Sequence, residues 1–354
     1  MRSKPHSLLV IDGAHGEGGG ALLRTSLVMS ALTQQGVQID DVRGATKYPG
    51  LDPEDLTLIS ALGSICKAEV TGAEIGSKQI GFVPTVRPGG FKGELKSVRN
   101  ESQRGSNALV VLGSLLPVLA RSGVYSTVVV EGETYGQNTV SYDYFANVTL
   151  AALKKAGLYA FPELTFGGFG RESNGVVALD VEPSGISGID WSDRGGLVSV
   201  HAMVTTSALP GVIGERILSH IRQLGRNSGL KMDARHMEID AQGPGVFVTA
   251  WAIYERGIGG GTAIGSRGVR GEMLAHSAFD ELADWMSSPS TVDPYLADQL
   301  LLPLVVADGP STFSVSRLTQ RFLTSVWVIK QFTPIHITVR GVEGGPGVVQ
   351  IRQP

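Results

Sequence analysis

Leu115-Leu116-Pro117-Val118-Leu119-Ala120-Arg121-Ser122-Gly123 and Leu301-Leu302-Pro303-Leu304-Val305-Val306-Ala307-Asp308-Gly309 are two versions of one pattern. Each reads as the end of an apolar helix closed by glycine, the residue that most readily ends a helix in the left-handed conformation. Each leads into a β-rich segment, Tyr125 to Val130 in the first case and Ser311 to Val315 in the second. A third version lies near the start: a helix around Leu22 to Leu32, Gly36, then Val37-Gln38-Ile39. An internal repeat of this kind decides the architecture before any motif is weighed.

The repeat continues past each strand. Asp52-Pro53-Glu54-Asp55 opens a second helix, with a capping residue, proline at the first helical position and acids at the positive end of the dipole. Ser141 to Lys155 and Thr319 to Gln331 are its counterparts. Glycine-rich hairpins follow at Val70 to Pro84, Leu164 to Val181 and Ile335 to Ile351. The predicted unit is helix, strand, helix, antiparallel hairpin, three times over, in an α/β (α+β) chain. Between the second and third copies stands an extra segment with a strand (Leu197 to Val204), an amphipathic helix (Val212 to Leu224) and a strand (Gly245 to Tyr254). A glycine-rich loop (Gly257 to Gly268) and a helix (Gly271 to Met286) complete it. The expected division is a core domain over 1–185 carrying units 1 and 2, an inserted small α/β domain over 186–290, and unit 3 of the core over 291–354.

Composition agrees with a folded chain of more than one core: 354 residues, 42% apolar and 18% charged. The 47 glycines have no collagen-like period, so they point to many tight turns. A net charge of −3 demands no polyanionic partner. With one cysteine, Cys66, no intrachain disulfide forms, and its apolar surroundings mark it as a small buried hydrophobe. No apolar run approaches membrane-spanning length and the first residues lack a signal-peptide core, so the expected location is the cytoplasm, with no membrane partner.

Leu8-Leu9-Val10-Ile11 reads as a buried strand, followed by Asp12-Gly13-Ala14-His15-Gly16-Glu17-Gly18-Gly19-Gly20 and a helix carrying Arg24. Strand, glycine turn and helix start bring backbone N–H groups to face an anion. Gly16, Gly18 and Ala21 also satisfy a dinucleotide fingerprint, with Asp40 near its acidic position. Against a nicotinamide enzyme stand Glu17, which repels a pyrophosphate unless a metal intervenes, and the hairpins, where a doubly wound sheet needs parallel strands. A tight turn without a ligand is the plain alternative.

Ile11 to Arg24 resembles the opening motif of the RNA 3′-terminal phosphate cyclase family, and Tyr295-Leu296-Ala297-Asp298-Gln299-Leu300-Leu301-Leu302-Pro303 resembles its late signature. Weaker matches are Arg43 with Pro49-Gly50-Leu51, Gln242-Gly243-Pro244-Gly245, and Phe322-Leu323-Thr324 with Gln331-Phe332. The resemblance implies a triplicated core with an inserted domain, and a ligase-type activity. In the family reaction ATP and a divalent metal (Mg or Mn) convert an RNA 3′-phosphate to a 2′,3′-cyclic phosphate. A histidine attacks the α-phosphate of ATP, AMP passes to the RNA 3′-phosphate, and the neighbouring 2′-OH displaces it. The expected partners are therefore an RNA 3′ end and ATP.

By position, the resemblance makes Glu17 a metal or phosphate neighbour. It makes Gly18, Gly19, Arg24 and Arg43 phosphate-binding residues, and Tyr295, Asp298 and Gln299 nucleotide-pocket residues. On the helix opened by Asp293 and Pro294 these last three share a face. The family's nucleophilic histidine aligns with Arg321, which stays protonated and cannot attack phosphorus. Gly113, Thr46 and Gln137 depart from the family in the same region. No residue is therefore assigned as the nucleophile, with His15 as the substitute candidate and Arg321 as an anion clamp if it faces the site. Lys78, Arg87, Lys92, Lys96, Arg99 and Arg104 form a basic stretch that reads either as an arm on an RNA backbone or as a solvated loop.

The functional expectations are thus a family member acting on RNA 3′ ends but degenerate at its nucleophile, a non-catalytic RNA- or nucleotide-binding relative in RNA processing or ribosome assembly, or a metal-dependent nuclease or phosphotransferase.

Overall fold

The computed structural model describes residues 8–353. His6, one of the seven histidines, lies outside them. The first unit runs β1 (Leu9–Asp12), α1 (Gly20–Thr33), β2 (Val37–Asp40), α2 (Pro53–Cys66), β3 (Glu69–Thr71) and β4 (Ile80–Val83). Its sheet has the order β1-β2-β4-β3, with β1 and β2 parallel and the other pairs antiparallel. A single parallel pair excludes the doubly wound sheet that the dinucleotide reading needs.

The second unit repeats this order: β5 (Lys92–Leu95), α3 (Ala108–Ala120), β6 (Ser126–Gly132), a helix in three pieces, then β7 (Ala160–Phe166) and β8 (Gly175–Val181). The three pieces are α4 (Tyr142–Tyr144), a π-helical turn over Phe145–Thr149, and α5 (Leu150–Lys155). The sheet order is β5-β6-β8-β7.

The third unit begins with β9 (Asp190–Trp191), and the chain then leaves it to build a fourth sheet. That sheet comprises β10 (Leu197–Ser207), α6 (Gly211–Asn227), β11 (Met232–Glu238), β12 (Gly245–Tyr254), β13 (Gly257–Ile264) and α7 (Gly271–Ser287), in the strand order β11-β10-β12-β13. The chain returns through α8 (Pro294–Val305), β14 (Ser311–Val315), α9 (Gln320–Phe332), β15 (His336–Gly341) and β16 (Gly347–Arg352). Its sheet is ordered β9-β14-β16-β15, with β9 parallel to β14. The molecule is thus a mixed α/β fold of four small mixed sheets.

Local chemistry explains where these elements start. Asp52 and Asp55 form a reciprocal capping box at α2, each carboxylate accepting the other's backbone N–H at 3.1 Å. Asn107 accepts from Leu109 N and Val110 N at 3.0 Å and so caps α3. One apolar cluster joins all three units, with Leu27 of α1, Leu112 of α3 and Leu300 of α8 fully buried in it. Each such side chain contributes roughly 1.5–3 kcal/mol. A second cluster holds α6 and α7 against the fourth sheet. Cys66 is buried, as read, and burial pushes its thiol up to about 11.

The expected segments need three corrections. Gly257–Ile264 is a strand, not a loop: a Cβ on Gly259 would lie 2.7 Å from the Trp285 ring, so glycine is what lets α7 sit close against the sheet. Met232–Glu238 is an additional strand, pairing parallel with β10 at the sheet edge. Each unit also has a leading strand parallel to its second, which the predicted unit lacked in copies two and three.

Candidate functional site

Three helices from the three units direct their N-termini into one cleft of about 1320 Å³ between the core and the fourth sheet. Its wall includes Gly19, Gly20 and Arg24 of the first unit, Leu109 and Val110 at the start of α3, and Tyr295, Asp298 and Gln299 on α8. Gly260 and Gly261 of β13 face them, and Arg321 of α9 completes the wall.

The glycine loop owes its shape to two left-handed residues, Gly16 (φ +62°) and Gly18 (φ +57°). A Cβ at Gly16 would collide with Thr324 Oγ1, the atom that accepts the Glu17 N–H at 3.0 Å. This bond fastens the loop to α9 and sets Glu17 beside Arg321. Gly19 then stands at the N-cap of α1 without any side-chain hydrogen bond, and the first turn of the helix contains no acid. The first N–H groups of α1 are therefore open to an anion.

The arginines are held by carboxylates. Arg24 Nη1 lies 2.8 Å from Glu54 Oε1. Arg43 bonds both oxygens of Asp55, at 2.9 and 3.0 Å, and reaches Asp52 at 2.8 Å. Burial alone would lower the Arg43 pKa, but Asp55 and Asp52 more than offset that and leave it raised. The Asp55 carboxyl is fully buried and beside Asp52; these push it up to about 7, against the pull of Arg43. Arg171, from the loop between β7 and β8, bridges Asp52 at 3.6 Å and Glu54 at 3.7 Å. Glu133 is buried and receives Asn107 Nδ2 at 3.0 Å; burial raises its pKa, while the Asn107 bond lowers it.

Arg321 faces the cleft. Its Nε and Nη2 both reach Glu17 Oε1 at 3.3 Å. Burial lowers its pKa and Glu17 and Asp298 more than restore it, so the side chain remains a fixed cation. Asp298 is pushed up to about 7, first by burial and also by Glu17, with Arg321 opposing. Asp298 Oδ1 and Glu17 Oε2 are buried and have no protein partner among the described residues. Two unpartnered carboxylate oxygens on the wall of one cleft fit a small divalent cation, which takes one or two carboxylates and fills the rest of its shell with other oxygens. Among the described residues no group of three or more His, Cys, Asp or Glu side chains forms a cage for a metal.

The other assigned residues divide. Gln299 accepts from Thr149 Oγ1 at 2.5 Å and donates to the Tyr295 carbonyl at 3.1 Å, so its amide is fixed. Tyr295 is partly exposed on the cleft wall. Gly18 shapes the turn but is not part of the wall, and His15 stands outside it, stacked on Trp327 with ring centroids 3.7 Å apart. Thr46, Gly113 and Gln137 do line the cleft. Of the basic stretch, Arg104 reaches the cleft, while Arg99 is folded onto the carbonyls of Gln103, Glu172 and Ser173. Glu54, Arg171, Glu133 and Thr149 were not singled out from sequence. In the sequence Glu54 reads only as a helix-start acid, and no local pattern marks the others.

Comparison with known proteins follows the same lines. The family pattern described as RNA 3′-terminal phosphate cyclase matches residues 15–339. A protein named RNA 3′-terminal phosphate cyclase from Methylococcus capsulatus is 32% identical over 351 residues, covering 98% of this chain and 96% of its own. Proteins of the same name from Pyrococcus furiosus and Gloeothece citriformis are 32% and 31% identical, covering 97% and 92% of this chain and 98% and 93% of theirs. Among solved structures, the enolpyruvyl transferase NikO from Streptomyces tendae aligns over 96% of this chain and 47% of its own, with 11% identity and a TM-score of 0.37, a likeness too slight to bear on the reading. No helix among the described residues is long and apolar enough to cross a membrane.

Proposed function

The chain belongs to the RNA 3′-terminal phosphate cyclase family, and from that premise we propose that it binds ATP and an RNA 3′ end in this cleft without forming a covalent adenylate on its own chain. The observation that carries the reading is Arg321. It occupies the position at which the resemblance expects the nucleophilic histidine, it faces the cleft, and it is a cation bonded to Glu17. A guanidinium has no lone pair to offer phosphorus, but it has donors in a planar fork suited to phosphate oxygens. Nε and Nη2 are engaged by Glu17, which leaves Nη1 without a protein partner among the described residues.

The remaining groups suit binding. The open start of α1 offers N–H donors to a phosphate, and Arg24 and Arg43 stand beside Gly20 in orientations fixed by Glu54 and Asp55. Tyr295 and the fixed amide of Gln299 supply a flat face and a directed donor for a base. Glu17 and Asp298 would hold a magnesium or manganese ion, which supplies neutralisation of phosphate charge. His15 is a poor substitute for the absent nucleophile because its ring is stacked on Trp327 outside the cleft wall.

The test is self-adenylation with α-labelled ATP and manganese. The expected result is no acid-labile label on the native chain and label on Arg321→His, as for an intact pocket lacking only its nucleophile. Label on the native chain that disappears in His15→Ala would overturn the reading in favour of a relocated nucleophile and a working cyclase.

A further inference from the structure

The structure assigns to Asp293 a positioning role: its carboxylate ties the glycine strand of the fourth sheet and the π-turn helix of the second unit to the helix start that presents Tyr295, Asp298 and Gln299. Asp293 is fully buried, and both of its oxygens are in use. Oδ1 accepts the N–H groups of Tyr295 at 2.7 Å and Leu296 at 2.9 Å, which is an N-cap. Capping needs no more than that. Oδ2, however, accepts the Tyr144 hydroxyl at 2.6 Å and the Gly260 N–H at 2.8 Å. One carboxylate thus joins α8, the segment leading into the π-turn and β13, three elements that come from three different parts of the chain.

The tie is aimed at the cleft. Gly260 and Tyr295 are both in its wall, facing each other across Asp293, so the position of the opposing wall is referred to the helix that carries the proposed nucleotide contacts. The π-turn sharpens this. Its last residue, Thr149, fixes the Gln299 amide, while Tyr144, just before it, bonds Asp293. A π-turn contains an extra residue per turn, which shifts the helix face, and such turns occur often at functional sites. Here the residue before it reaches the N-cap of α8 and its last residue reaches the second turn of that helix. A buried carboxylate with four donors holds its neighbours at short, directed distances, and removing an acceptor leaves a buried N–H unsatisfied.

The role rests on the cleft being the nucleotide site, so the test keeps the two claims apart. Asp293→Asn retains the capping oxygen and the side-chain shape but turns an amide N–H₂ toward the Gly260 N–H. Tyr144→Phe removes one donor and leaves the cap intact. In both variants, amide hydrogen exchange is expected to quicken together at 257–264 and at 295–299. ATP affinity is expected to fall by about tenfold in Asp293→Asn and about threefold in Tyr144→Phe, with little change in melting temperature in the latter. Exchange that quickens in one segment alone, or ATP affinity that stays at the native value while both quicken, would overturn the role. If the native chain binds no ATP, the proposed function fails, and the exchange result by itself decides the tie: joint quickening upholds it and independent behaviour removes it.

Discussion

The start of α1 and the start of α8 occupy equivalent places in the first and third units, yet they treat the same physical problem in opposite ways. Both helices leave their first N–H groups without intrahelical partners at the cleft. At α8 the chain fills that need itself, with the Asp293 carboxylate. Asn107 does the same at α3. At α1 the corresponding residue is Gly19, which has no side chain to offer. Three repeats deliver three positive helix ends to one place, and only one of them is left to be satisfied by a ligand. The closed starts fix the frame, and the open start is where the proposed function seats an anion.

The most direct way to break this contrast is to close α1. Gly19 has an extended backbone (φ −104°), and a Cβ there would meet nothing nearer than Glu17 at 3.5 Å, so a side chain fits. Gly19→Asp is expected to cap the helix and to place a carboxylate where a phosphate would lie. ATP affinity measured by calorimetry should fall by about 100-fold or more, while stability to urea stays within about 1 kcal/mol of native.

A second test concerns the ties that hold the closed side of the cleft. Asp143 is fully buried and receives Thr205 Oγ1 of β10 at 2.7 Å and Tyr135 OH at 3.3 Å. Burial pushes its carboxyl up to about 6, against the pull of those two bonds. Between pH 4 and 6 the native state therefore retains a proton that the unfolded chain has released. The stabilisation from this group is present below pH 4 and is lost as pH rises through 6. Asp143→Asn does not titrate, so its stability relative to native should improve by on the order of 2 kcal/mol between pH 4 and pH 8, read from urea unfolding at the two pH values. A difference that does not change with pH would show that Asp143 releases its proton at the same pH folded and unfolded, so that burial does not raise its pKa.

The smallest effect on ATP affinity is expected from opening a closed start. Asn107→Ala removes the α3 cap, worth about 1 kcal/mol in unfolding free energy, together with the Nδ2 donor to buried Glu133, so it should cost at least that much. It should not raise ATP affinity, because Arg24 and Arg43 stand at α1 and not at α3. A gain in affinity would mean that the three starts are interchangeable as anion seats.

How much of this was legible in the sequence follows from the range of the interactions. The helix starts at Asp52-Pro53 and Asp293-Pro294 are local signals, and their caps formed as read. The leading strands of units two and three were missed. Lys92–Leu95 has little apolar character of its own, and Asp190–Trp191 is too short to show alternation. The glycines of β13 read as a loop because their purpose, the close approach of Trp285, lies a helix away. Edge strand β11 hid behind its charges, Asp233, Arg235 and Glu238. At the site, the family motifs placed Glu17, Arg24, Arg43, Tyr295, Asp298, Gln299 and Arg321 on one cleft. The partners that orient them could not be read locally: Glu54 lies 30 residues from Arg24, Thr149 lies 150 from Gln299, and Thr324 lies 307 from Glu17.

The stacking of His15 on Trp327 has an optical consequence. Indole emission is quenched by an imidazole in face contact, and His15 belongs to the glycine loop, whereas Trp327 belongs to a helix packed in the core. Displacement of the loop by an incoming phosphate would part the rings and brighten Trp327. The remaining three tryptophans, Trp191, Trp251 and Trp285, are buried elsewhere, and Trp327→Phe subtracts their background. The chain thus carries its own fluorophore beside the loop that leads into the open start of α1.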